Sequence, residues 1–181
     1  MGGTLAAEVP YESRPDVDFS AVVGNMLKGQ LDGLLYIAGG IDVARLAQQS
    51  RRQAPKLPIS ASEWAATEQL IELGGKVVDG LVILQNYKRE DDSPRFRAFR
   101  EAYFKRFQKN PGYSSGAAYD AATVLFDALG KREAGETVKA AVLRSGPYQG
   151  LQQQIVFDAK GDTQRKVFFT EISEGRFVLI K

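Results

Sequence analysis

The apolar positions change period along the chain, and that change divides it. Over the first half, short apolar runs alternate with stretches whose apolar residues recur every three or four positions. Phe19, Val22, Val23, Met26 and Leu27 make one helical face behind Asp18, a good N-cap, and Gly29 stops it. Leu34–Ala38 reads as a strand apolar enough to be buried on both faces. Gly39-Gly40 is the turn after it, and Asp42 is expected to cap a helix reaching about Gln53. Pro55–Ser60 reads as the next strand, a Ser62-Glu63-Trp64 turn leads to a helix over about Thr67–Leu73, and Gly74-Gly75 ends that helix. Val77–Gln85 follows as a strand, and Gly3–Pro10 has β character as well. This alternation predicts a parallel α/β sheet with right-handed crossovers.

After Tyr87 the pattern is different. KREDDSP is a charged loop in which Ser93 caps a helix with Pro94 at its first position. Phe96, Phe99, Tyr103 and Phe107 give that helix an aromatic stripe as far as Lys109. A second helix, Ser115–Leu129, is small and apolar and is expected to be buried, and Glu136–Ser145 reads as a third. Three strands close the chain: Gln154–Asp158, Val167–Ile172 and Arg176–Ile180. The last two form an antiparallel hairpin around Ser173-Glu-Gly175. Three consecutive helices break the α/β rhythm, so a boundary is placed near residues 85–92.

Composition narrows the chemistry. Lys and Arg number 24 against 22 Asp and Glu, a net charge of +2, too small to argue for nucleic acid. RRQAPK and the basic run over Arg95–Lys109 read as solvated helix faces. The 181 residues contain no cysteine and no histidine. That removes thiolate zinc sites, disulfides and the Ser-His-Asp and Cys-His devices, so neither metal, cofactor nor enzymatic activity is expected. No apolar run is long enough to span a bilayer, and the opening MGGTLAAEVPYESR does not read as a secretory signal. Asp91-Asp92 lies on a charged loop without the spacing of a calcium site.

Candidate ligand positions follow from the sheet. In open parallel sheets ligands gather at the carboxyl ends of strands. Gly39 and Gly40 occupy one such end, and Ser62, Glu63 and Trp64 another. Trp64 could wall a pocket with its indole, and Tyr87 and Tyr113 fall near the boundary between the two halves. The alternatives are ordinary ones: Glu63 beside a helix N-terminus favoured by the helix dipole, Ser62 and Asp42 as caps, and Trp64 packed on a sheet edge.

Taken in order, PYESRPDVDFSAVV, DGLLYIAGG, KLPISASEW, GGKVVDGLVILQNY, the Ser93–Leu129 helices and YQGLQQQIVFDAKGD resemble the type 1 periplasmic solute-binding proteins of branched-chain amino acid and amide ABC transporters. The similarity covers nearly the whole chain from about Leu5, carried by several weak motifs in the right order. It implies a two-lobed α/β clamshell that hands a small amino acid or amide to a permease, periplasmic and without cofactor or metal. A sensory ligand-binding domain of the same fold is the alternative. By this resemblance 3–84 and 156–181 form the second lobe, 93–145 is a helical segment of the first lobe, and 85–92 and 146–155 are hinge crossings. Glu63 falls on the acid that accepts a ligand ammonium, whereas Gly39 and Gly40 fall where amino-acid binders offer a tyrosine. Family chains are about twice as long, the N-terminal half being the part without a counterpart. The exposed lobe-one helices are therefore expected to drive homo-oligomerisation.

Overall fold

The computed structural model describes residues 2–180. The chain divides into two compact units: one runs through Gln85 and resumes at Phe169, and the other is Asn86–Phe168. The first boundary therefore falls at the edge of the 85–92 stretch. The return falls at Phe169, so residues 156–168 group with the helical segment and not with 3–84.

In the first unit, α1 (Phe19–Met26) begins where the Asp18 carboxylate accepts from the Ser20 and Ala21 N–H groups. Strands β1 (Leu34–Tyr36), β2 (Ile59–Ala61) and β3 (Val82–Gln85) are parallel neighbours, separated by α2 (Gly40–Gln53) and α3 (Glu68–Gly74). Strands β6 (Phe168–Ser173) and β7 (Arg176–Leu179) complete the order β1-β2-β3-β6-β7, with β6 and β7 antiparallel. Glu174 and Gly175 both have positive φ, the conformation that a two-residue hairpin turn matching strand twist requires.

Alternation along the strands sends Leu34, Tyr36, Ile59, Ala61, Ile83 and Ile172 into one core with the helices. The Tyr36 hydroxyl is 2.5 Å from Ser50 Oγ beneath α2, and burial raises its pKa. Between β3 and β6, Gln85 Nε2 donates to Thr170 Oγ1.

Several expectations are corrected here. Gly3–Pro10 lies in neither helix nor strand. Val77 and Val78 belong to a 3₁₀ turn, Gly75–Val78, ahead of the strand. β1 is not buried on both faces: Leu35 is 61% exposed, and Leu84, Phe169 and Val178 are exposed on their strands too. Parallel sheets are ordinarily covered on both sides; in this unit the helices cover one.

The second unit contains α4 (Pro94–Phe107), α5 (Tyr113–Gly130), α6 (Val138–Ser145) and a two-stranded ribbon, β4 (Tyr148–Gln149) with β5 (Gln154–Ile155). Ser93 Oγ accepts from the Phe96 N–H, and Pro94 occupies the first helical position. The aromatic stripe of α4 stacks along itself, with Tyr103 and Phe107 centroids 4.6 Å apart.

The expectation that α5 is buried holds for only one stripe of it. Gly116, Asp120, Val124 and Ala128, four residues apart, are covered, whereas Phe126 is 70% exposed and Leu125 and Leu129 are exposed with it. The Asp120 carboxylate accepts from the Leu151 N–H at 2.6 Å, and burial pushes its pKa up.

Candidate functional site

The site grows from the carboxyl ends of β1 and β2. Ser62 N donates to Tyr36 O, at the last residue of β1, across 2.8 Å and carries the parallel pairing one residue past β2. Beyond that bond the two chains diverge. One turns through Ala38 and Gly39 into α2, and the other through a 3₁₀ turn, Glu63–Ala65, toward α3. Between them opens a cavity of about 740 Å³, within the range of small-molecule sites. Gly39, Gly40 and Trp64 line it together with Ile37, Tyr11 and Arg45.

Gly40 is required by closeness. A Cβ there would stand 2.3 Å from Thr67 Oγ1 and 3.2 Å from the Ala65 carbonyl oxygen, so any side chain would force Thr67 to turn and the 3₁₀ turn to give way slightly. Asp42 is not the cap. Gly39 holds that position and supplies no side-chain acceptor, while Asp42 sits inside the first turn, 9% exposed, and accepts the Tyr11 hydroxyl proton at 3.0 Å. Burial, reinforced by that bond, pushes the Tyr11 phenol well above the usual tyrosine range.

The predicted site residues therefore separate into groups. Gly39, Gly40 and Trp64 share the cavity wall. Ser62 and Glu63 adjoin Trp64 in sequence but lie outside the lining. The Ser62 hydroxyl caps no helix, and its oxygen is buried without a hydrogen-bond partner. Tyr87 belongs to the other unit, where its ring meets Phe96 edge-on at 5.8 Å and its hydroxyl donates to the Pro111 carbonyl. Tyr87 and Tyr113 border a space of about 20 Å³ there, enough for a water molecule but not for a solute.

Sequence reasoning passed over Tyr11, Arg14 and Arg45, all at the cavity. The first two sit in a segment that reads as a polar loop. Arg45 was legible in principle, being three residues after Asp42 on the same helix face. Among the described residues no cluster of three or more acidic side chains could hold a metal ion. The Asp91 carboxylate instead accepts from the Ser93 N–H at 2.7 Å.

A wound, mostly parallel sheet with a solute-sized cavity at its strand ends defines an α/β ligand-binding lobe. Residues 1–176 match the family model described as periplasmic binding protein, and the chain belongs to that family. The leucine-binding protein LivK of Thermotoga maritima is 26% identical with a TM-score of 0.79, over 92% of this chain and 49% of that one. LivJ of Streptococcus pneumoniae, a branched-chain amino acid transporter substrate-binding protein solved with isoleucine, is 19% identical with a TM-score of 0.76 over the same shares. An extracellular ligand-binding receptor from Rhodopseudomonas palustris HaA2 is 21% identical with a TM-score of 0.77, over 94% of this chain and 54% of that one. The chain thus spans about half the length of these solved relatives. No curated protein matches the sequence. Among the described residues no helix is long and apolar enough to cross a membrane.

Proposed function

We propose that this chain is the ligand-gripping part of an extracytoplasmic receptor that delivers an amino acid, an amide or a related small carboxylate to an ABC permease. The observation that carries this reading is the cavity at the carboxyl ends of β1 and β2, walled by Gly39, Gly40 and Trp64. Strand ends are where α/β sheets hold ligands, because the loops there diverge and leave a crevice. Two bare glycines bring main-chain groups to the wall, and an exposed indole offers an aromatic face. Ser62 and Glu63, at the neighbouring turn, belong to the same proposal as groups reached by a ligand that extends past Trp64.

Self-association through the exposed apolar positions of α4 and α5 is part of the reading. Affinity in the isolated monomer is expected to be weak or undetectable and not submicromolar, because the chain spans only about half of its ligand-binding relatives.

Trp64 is the sole tryptophan, so its emission reports on this cavity alone. Titration with branched-chain amino acids, their amides and their carboxylates should give a saturable change with at least one class. Linear, unsaturating responses to all three would count against the reading.

A further inference from the structure

We infer that the Trp64 cavity takes a carboxylate carried on an apolar body, and that it disfavours a free ammonium group. This rests on the proposed function and names the chemistry of its ligand. Among the described residues, the charged side chains lining the cavity are Arg14, Asp42 and Arg45. The acid among them is already engaged: Asp42 is buried in the first turn of α2 and accepts the Tyr11 hydroxyl proton at 3.0 Å. A tyrosine phenol is protonated at neutral pH, so Tyr11 goes on donating to Asp42 there.

The two guanidinium groups carry only weak engagements. Arg14 reaches Glu12 at 3.7 Å with both side chains largely exposed, a geometry that contributes little. Arg45 lies 5.8 Å from the Phe19 ring centroid, which leaves its fork of N–H donors able to meet a carboxylate in two parallel bonds. Glu63, the residue that the resemblance assigns to an ammonium, is not part of this wall.

The remainder of the lining sets the body of the ligand. Trp64 and Ile37 present exposed apolar surface, and Gly39 and Gly40 present no side chain at all. An ammonium placed in this cavity would meet two guanidiniums and one occupied carboxylate. A carboxylate there gains charge-assisted bonds, while its hydrocarbon part covers the indole.

The test uses the whole chain, Trp64 emission, and three probes that share one branched hydrocarbon: 4-methylpentanoate, L-leucine and 3-methylbutylamine. Expected are saturation by 4-methylpentanoate at about 10-fold lower concentration than by leucine, and no saturation by the amine. In R45Q and in R14Q/R45Q, the half-saturating concentration of the acid should rise by about 10-fold or more. Thermal unfolding of each variant shows whether the fold is retained. Added salt should weaken the acid and leave leucine nearly unchanged.

Tighter binding of leucine or of the amine overturns this inference and leaves the proposed function standing. An acid titration unmoved by either arginine variant also overturns it. Saturation by none of the three overturns both readings of the cavity.

Discussion

Tyr11 donates its hydroxyl proton to the Asp42 carboxylate across 3.0 Å, tying a segment without regular structure to the first turn of α2 at the cavity wall. Replacing Tyr11 by Phe removes the donor and leaves a buried carboxylate with one partner fewer. The cost should be about 1–2 kcal/mol in urea unfolding. Asp42→Asn keeps an acceptor oxygen and should lose less.

The same hydroxyl gives a pH dependence. Tyr11 and Tyr36 both have raised pKa values, chiefly because burial disfavours the phenolate. In the unfolded chain a tyrosine ionises near pH 10. Below that pH the neutral form prevails in both states and stability is whole. As pH rises past it, the unfolded chain releases its protons first and stability falls. Unfolding midpoints measured between pH 8 and about 11 should be flat and then decline, less steeply in Tyr11→Phe.

Gly40→Ala tests the close approach of α2 to the 3₁₀ turn. Thr67 must turn its hydroxyl away, and the Ala65 carbonyl must give by a few tenths of an ångström. A destabilisation of about 1–3 kcal/mol is expected. It should come with a shift in Trp64 emission, because Trp64 sits in that turn.

In the second unit, Asp120→Asn retains an oxygen for the Leu151 N–H but gives up the ion pair with Arg165 at 3.7 Å, so chemical denaturation should show a smaller loss than Asp120→Ala. Asp120→Ala strands the Leu151 N–H and should cost about 1–3 kcal/mol.

Phe126 and Leu129, exposed on α5, are the positions to charge if the chain self-associates. Sedimentation of F126K/L129K should show a smaller species than the parent at equal concentration, with thermal unfolding unchanged. A parent that is monomeric throughout would remove the association.

Much of the fold was readable because its elements announce themselves locally. Asp18 and Ser93 cap the helices they precede, and the turn after Ser173 has the backbone that a tight hairpin requires. Burial was harder to read. Leu35 and Phe126 are apolar residues in apolar runs, yet their faces are uncovered, because period reports which residues share a face and not what lies over it.

The cavity was legible in part for the same reason. Strand-end reasoning finds Gly39, Gly40 and Trp64, which are fixed by short connections to β1 and β2. Tyr11 and Arg14 lie at the cavity across a long stretch of chain, and no local pattern marks that. Asp42 looked like a cap because acids are favoured both at the N-cap and in the first turn, so residue type alone does not separate the two positions.

The order of strands has a consequence for how the molecule is made. β3 and β6 are neighbours in the sheet, yet residues 86–167 are translated between them. Until that stretch has been synthesised, one margin of β3 waits without its mate, a bare ladder rung open to any passing extended peptide. Pairing across so long an interval is slow, so yield in the cell should depend on chaperone supply during synthesis more than on the final thermodynamic stability.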